Sequence, residues 1–196
     1  GLSPNTIRKH YILLNSAVGL AVKQDMLGKN VIHAVTPPPE RPPQHCFYSP
    51  EQLQQLFAFT AGRSLEPVVK LASYLGMRRS EICGLKWENV DLKEGVLYIC
   101  EARTAANGVA VDKGPKSPSS VRRLAFTGNV DLRGMLLQMH QRYLQDKERY
   151  GEAFNPQGFV MTHGRGRPYS PDYLSGHFTK VVRESGLPPC TLHGLR

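Results

Sequence analysis

Two arginines stand in settings that suit phosphate chemistry. Arg78 follows Gly76-Met77 and precedes Arg79-Ser80-Glu81, and far downstream Arg196 closes the run His193-Gly194-Leu195-Arg196. The planar fork of an arginine binds two phosphate oxygens at once and stays protonated. In-line attack on a phosphodiester loads negative charge onto the non-bridging oxygens, so donors already aimed there stabilise the transition state more than the ground state. His193 follows Thr191-Leu192 and a turn signal at Pro188-Pro189, so it reads as a helix start, where backbone N–H groups also favour an anion. Neighbouring residues on a helix point about 100° apart, so Arg79 is expected to face away from Arg78. A third basic stretch is Lys113-Gly114-Pro115-Lys116-Ser117, which runs through Pro118 and Ser120 to Arg122-Arg123. Each feature has a plainer explanation when it stands alone: a solvated helix end, a surface histidine, a flexible loop gripping phosphates without specificity. Their company in one chain favours the chemical reading.

The charge balance points the same way. Lysine and arginine total 25 against 16 acidic residues among 196, a formal charge of +9 with a pI near 9.6. Such a surplus suits a polyanionic partner. Cys46, Cys83, Cys100 and Cys190 lack the close pairs of zinc or redox motifs and read as reduced thiols, with Cys83 a small buried hydrophobe on the apolar side of a helix. No apolar run reaches the roughly 18 residues of a membrane span, and the N-terminus carries no signal pattern. The expectation is a soluble cytoplasmic protein. The chain opens on Gly1 and stops inside a motif, so it is expected to be a piece of something longer.

The elements that must position these residues follow from caps and periodicity. Ser3-Pro4 starts an amphipathic helix of about five turns carrying Ile7, Tyr11, Leu14, Val18 and Ala21 on one face. Thr36-Pro37-Pro38-Pro39-Glu40-Arg41-Pro42-Pro43 cannot continue a helix and reads as an interdomain linker. Ser49-Pro50-Glu51 caps a second helix with Leu53, Leu56 and Phe57 inward, and Ser64 is expected to cap a third carrying Val68, Leu71, Ala72 and Leu75. Gly76 interrupts that helix, and Arg78 to Trp87 reads as a short one with Ile82 and Leu85 in the core and Trp87 as a packing anchor. Val96-Leu97-Tyr98-Ile99 and Val121 to Phe126 have β character. The polar stretch Thr104 to Ser120 between them is expected to be the long, mobile tip of their hairpin. Asn129 to Tyr150 returns to helical periodicity, Phe159-Val160-Met161 is a candidate third strand, and a last helix is expected from about Ser170 to Gly186 after the loop His163 to Pro168.

In order, spacing and setting, these segments resemble the arginine boxes and basic hairpin of the tyrosine recombinases, the phage integrase family. The resemblance runs from the first helix to Arg196. It implies a mainly α fold with a small antiparallel β-sheet (α+β), the tyrosine recombinase catalytic fold preceded by part of a helical core-binding domain. Residues 1–36 would be the end of that domain, 37–46 a proline-rich linker and 47–196 an incomplete catalytic domain. By the same resemblance Arg78 and Arg196 clamp one DNA phosphate, and His193 donates to it or exchanges protons. A hairpin lysine protonates the departing 5′-oxygen. Lys116 is chosen because Lys116-Ser117 and its distance to Arg122 and Phe126 resemble the family's Lys-Thr run; Lys113 is the alternative, and a nonspecific phosphate grip stays open. Lys113, Arg122, Arg123, Arg165 and Arg167 are DNA-binding candidates.

Two features depart from the family pattern. Asn30 precedes Val31 where the family usually has proline. The family's last active-site His or Trp and its nucleophilic tyrosine are expected after Arg196, and the eight tyrosines present all precede it. The implied activity is that of a site-specific recombinase, the integrase of a phage or conjugative element, working through a 3′-phosphotyrosyl intermediate. It would use no metal or other cofactor, because the arginines stabilise the charge a cation would otherwise meet. The implied partners are double-stranded DNA, a homotetramer on synapsed DNA and accessory DNA-bending or directionality proteins, with no membrane. The alternative is a DNA-binding fragment or degenerate relative that holds DNA without cutting it. A type IB topoisomerase shares the chemistry, but the small helical domain and the Lys116 hairpin fit the recombinases better.

Overall fold

The computed structural model describes residues 1–40, 46–106, 109–114 and 121–196. The chain divides into two units, Gly1–Gln44 and His45–Arg196. In the first, α1 (Pro4–Lys23) starts where the caps foretell: Ser3 Oγ accepts from the Thr6 N–H, and Pro4 takes the first turn, where its missing N–H costs nothing. Asn30 then performs two tasks. Its Oδ1 accepts from the Ile32 N–H to start the 3-10 turn Val31–Ala34, and its Nδ2 donates to Asn15 Oδ1 at 2.8 Å, which fastens that turn to α1. Arg8 Nη1 reaches the Pro38 carbonyl at 3.2 Å. The face expected on α1 is covered only in part. No residue of the helix is buried, and Ile7 and Leu14 are exposed, because the turn that packs on it shields one stretch of the face.

In the second unit α2 (Pro50–Thr60) opens with a full capping box, Ser49 and Gln52 each bonding the other's backbone N–H, two orphan donors met at once. The next helix, α3 (Glu66–Leu75), begins later than expected. Leu65 stands at its N-cap, with no side-chain cap bond. Glu66 serves this end, accepting from the Gly62 N–H at 2.7 Å and from Lys70 Nζ at 2.7 Å. Val68, Val69, Leu71 and Ala72 make α3 the centre of the core. The helix ends at Gly76 in left-handed geometry (φ 60°), a conformation that glycine alone adopts cheaply. Then α4 (Arg79–Gly84) buries Ile82 and Cys83, and the 3-10 turn Trp87–Asn89 follows. Trp87 is the packing anchor expected: its ring meets His140 edge-on at 4.8 Å and stacks near Tyr143 at 6.0 Å.

Among the described residues, five strands form two sheets. β1 (Val90–Asp91), β2 (Val96–Ile99) and β5 (Arg122–Ala125) make an antiparallel sheet in the order β1-β2-β5, with Ile99 opposite Arg122 and Tyr98 opposite Arg123. The stretch expected to be an irregular tip instead contains β3 (Ala102–Ala106) and β4 (Val109–Lys113), an antiparallel pair of their own. Val109-Ala110-Val111 in β4 alternates β-branched and small residues, and the Asn107-Gly108 pair in the sequence between the strands is the hairpin signal. This hairpin lies tight on α4. A side chain at Gly84 would meet the Arg103 backbone nitrogen at 2.9 Å and Ala102 Cα at 3.1 Å.

Phe159-Val160-Met161 is not a strand of either sheet. Phe159 makes a single bridge to Lys86, and the backbone bonds of the segment are from the Val160 N–H to the Leu85 carbonyl and from the Tyr169 N–H to the Met161 carbonyl. The chain continues with α5 (Val130–Tyr150), which carries Leu132 and Leu136 into the core, and α6 (Pro171–Glu184), capped by Ser170. It ends in a 3-10 turn, Leu192–Leu195, packed on α3. Lys70, mostly buried, ties α3 to α5 by donating to Asp131 Oδ1 at 2.7 Å. Among the described residues no helix is long and apolar enough to cross a membrane.

Candidate active site

Arg78 is held by its place between two helices. Gly76 closes α3, Met77 is fully buried, and Arg78 occupies the N-cap of α4 in extended geometry. The backbone at Arg78 is therefore set by the core, while its side chain remains 58% exposed. Glu81, on the first turn of α4, completes the arrangement. Its Oε2 accepts from the Arg78 N–H at 2.7 Å and its Oε1 from Arg78 Nη1 at 2.9 Å. Arg122, reaching in from β5, donates Nη1 to Oε1 at 2.8 Å and Nη2 to Oε2 at 2.7 Å. Burial of the Glu81 carboxyl would by itself raise its pKa. The hydrogen bonds from Arg122 and from the Arg78 backbone and guanidinium outweigh that and bring it down to about 2. Arg79 faces elsewhere, as expected, with its Nη1 on Ser175 Oγ of α6.

The second box arrives from the other end of the chain. Leu192 and Leu195 are buried and seat the 3-10 turn, leaving His193 and Arg196 exposed. Arg196 Nε donates to the Gly76 carbonyl at 2.6 Å, so the arginine of the second box is fastened to the turn that presents Arg78. The Cys46–Tyr48 segment braces this end. Tyr48 donates its hydroxyl to the Pro188 carbonyl at 2.6 Å, and Cys190 Sγ donates to the Cys46 carbonyl at 3.1 Å. Burial is the first cause that pushes the Tyr48 phenol up to about 12 and the Cys190 thiol up to about 11. A side chain at Gly194 would overlap the Cys46 carbonyl oxygen, which explains the glycine between His193 and Arg196. Cys83 is the inert buried thiol expected, its pKa pushed up to about 12 by burial.

The remaining candidates do not share one place. Lys116 lies outside the described residues, and Lys113 closes β4, its backbone opposite Ala102. Arg122, read from sequence as a DNA contact, directs two guanidinium nitrogens to Glu81, whereas its neighbour Arg123 is exposed on the strand. Arg165 and Arg167 are exposed on the His163–Pro168 loop, which is closed by the His163 N–H on the Arg167 carbonyl at 2.8 Å. Beside them is a cluster that sequence reading missed. The His163 ring lies 4.6 Å from Tyr169 and 4.5 Å from Tyr173, and the Tyr173 hydroxyl is 3.0 Å from His177 Nδ1. Desolvation first, then Arg167 and His177, lower the His163 pKa. The i, i+4 spacing of Tyr173 and His177 was its only sequence signal. Glu81 was also missed as a partner, although its place three residues after an N-cap is the capping-box signature.

A cavity of 430 Å³ lined by residues including Trp87, Met139, Tyr143 and Phe159 does not include Arg78, His193 or Arg196 in its walls. Exposed arginines outside a closed pocket suit a phosphate on a polymer better than a small enclosed ligand.

Comparison with known proteins agrees with this geometry. The model of the phage integrase family matches residues 47–196. Among curated relatives, a tyrosine recombinase XerC-like protein of Caldanaerobacter subterraneus subsp. tengcongensis is 22% identical over 190 residues, covering 91% of this chain and 48% of the relative. The ICEBs1 integrase of Bacillus subtilis is 24% identical over 204 residues, covering 100% of this chain and 53% of the relative. The chain thus spans about half the length of these relatives. The Tn1549 transposon integrase, solved in complex with a circular intermediate DNA, superposes with a TM-score of 0.78 at 21% identity, over 100% of this chain and 65% of that one. A lambda integrase dimer bound to a COC′ core site gives 0.61 at 18% identity, over 94% of this chain and 48% of that one. With both arginine boxes meeting at one turn and the family model covering residues 47–196, the chain belongs to the phage integrase family, the tyrosine recombinases.

Proposed function

We propose that the protein carrying this chain is a site-specific DNA recombinase, the integrase of a mobile element, and that it cleaves and rejoins DNA through a 3′-phosphotyrosyl intermediate. The observation that carries this reading is the Arg196 Nε bond to the Gly76 carbonyl, which brings the arginine of one box to the turn that presents the other. Arg78 and Arg196 bind the non-bridging oxygens of the scissile phosphate, and His193 donates to the same group. A tyrosine supplied downstream of Arg196 attacks phosphorus, its phenol proton passing to His193. The Tyr–O–P bond forms as the P–O5′ bond breaks, and the departing 5′-oxygen takes a proton from Lys116, with Lys113 the alternative. Attack by a 5′-hydroxyl reverses the step and releases the tyrosine. Exchange between duplexes pairs active sites, so the working form is a homotetramer on double-stranded DNA, assisted by accessory bending or directionality proteins. The relatives named as the ICEBs1 integrase and the Tn1549 transposon integrase support the mobile-element reading.

The test is covalent trapping. In the whole protein Arg78→Ala and Arg196→Ala should each slow adduct formation on supercoiled plasmid by roughly two to three orders of magnitude, the usual loss for one transition-state donor, while DNA affinity changes far less. Arg79→Ala, whose side chain is turned to Ser175, should leave cleavage nearly intact. If Arg79 proves the critical residue instead, the first box is misread by one position.

A further inference from the structure

Two guanidinium groups share one carboxylate beneath the first arginine box. The Glu81 side chain is only 7% exposed, Arg122 is 33% exposed and Arg78 is 58% exposed. The sharing is unequal. Arg122 faces Glu81 fork to fork, one nitrogen on each oxygen, whereas Arg78 brings a single guanidinium nitrogen and its backbone N–H. A buried carboxylate left alone with one arginine would take that arginine in the bidentate geometry, the strongest pairing available to both. Here that fork position is already filled from β5, where Arg122 is fixed by strand pairing opposite Ile99. The cluster as a whole keeps one unit of positive charge.

We propose that Arg122 is a positioning residue for Arg78: by occupying Glu81 in the bidentate mode, it lets Glu81 hold the Arg78 backbone and aim its side chain without capturing its charge. This rests on the phosphate-clamp reading of Arg78. It gives Arg122 a part different from the direct DNA contact expected from its place in a basic run. It also explains why a carboxylate is tolerated beside a group that must bind an anion: Glu81 is already neutralised by Arg122 before DNA arrives.

The two roles for Arg122 predict opposite behaviour in a double substitution. Arg122→Gln leaves Glu81 charged with Arg78 as its remaining guanidinium partner, so adduct formation by the whole protein on supercoiled plasmid should fall on the order of a hundredfold. Duplex affinity and its salt dependence should hardly change. Adding Glu81→Gln removes the competing charge while keeping a residue able to complete the capping box, and at least about tenfold of the lost rate should return. Arg122→Lys, which keeps the charge but not the fork, should lie between wild type and Arg122→Gln. The proposal is overturned if Arg122→Gln is silent. It is equally overturned if the loss appears in binding, with the salt slope reduced by about one and no recovery on adding Glu81→Gln, the signature of a phosphate contact. A double variant that melts like wild type yet stays as slow as Arg122→Gln reduces the cluster to a structural brace. Should Arg122→Gln not fold, Arg122→Lys with and without Glu81→Gln makes the same comparison. If the wild-type whole protein forms no adduct, the recombinase reading fails first and this inference falls with it.

Discussion

In the proposed mechanism a general acid is needed only because a 5′-alkoxide leaves poorly, and that gives the lysine its own test. In the whole protein Lys116→Ala should slow cleavage of ordinary DNA by about two to four orders of magnitude and be largely rescued on a substrate with a bridging 5′-sulfur, which departs without a proton. Arg78→Ala should gain nothing from that substrate. If Lys113→Ala shows the rescue and Lys116→Ala does not, the acid is Lys113; if neither does, the basic stretch is a grip on DNA. Glu81 has a measurable signature of its own in acid. Its folded pKa of about 2 lies below the ordinary 4.5, so its contribution to stability is fully present above about pH 4.5 and is lost as pH falls towards 2. Melting curves of wild type and Glu81→Gln should therefore differ most at neutral pH and converge through that window. A gap that is constant with pH would mean the carboxylate charge does not matter to the fold.

The short elements here are held from outside rather than by their own propensity. The 3-10 turn Leu192–Leu195 is four residues long, too short to be stable alone. It is held by two buried leucines, by the Arg196 bond to Gly76 and by the Cys46–Tyr48 segment laid across Gly194. Gly194→Ala puts a methyl group into the Cys46 carbonyl, a backbone atom that cannot turn aside. The expected loss is about 1–3 kcal/mol in stability, together with a fall in cleavage larger than the unfolded fraction explains, since Arg196 moves with the turn. Calorimetry beside adduct kinetics separates the two effects. A variant with wild-type melting and wild-type rate would show that the strap does not set the position of the turn. α4 is a comparable case at six residues, fixed by Glu81 at one end and by the hairpin resting on Gly84 at the other.

At the scale of the molecule, a charge of +9 and exposed Arg123, Arg165 and Arg167 suit a polyanion held over an extended surface. Binding of duplex DNA by a polypeptide of residues 1–196 should weaken steeply with salt, with a log-log slope on the order of −5 if about six phosphates are contacted. The same polypeptide should form no covalent adduct with supercoiled plasmid, since its eight tyrosines all precede Arg196. An adduct would mean that one of them serves as nucleophile. Salt-insensitive binding would place the DNA surface away from the basic residues.

What the sequence by itself determined is what local chemistry decides. Ser3 and Ser49 each cap the helix they foretell, and the helices expected from Asn129 and Ser170 start there, because a cap satisfies backbone donors within three residues of itself. The apolar stripe of α3 and the β character of β2 and β5 were legible for the same reason, as was the pairing of two arginine boxes by family resemblance. Ser64 does not cap α3, which starts one residue later with Leu65 at its N-cap, and the β3–β4 hairpin was hidden behind its polar composition although Asn107-Gly108 marked it in the sequence. Only the tertiary structure decided which charges meet. Arg122 and Arg123 are adjacent and chemically identical, yet strand alternation turns one to Glu81, 41 positions away, and the other to solvent. Arg196 finds the carbonyl of Gly76 across 120 positions. Such contacts carry no periodicity and no local partner, and exist only once the core has brought distant segments of the second unit to the same turn.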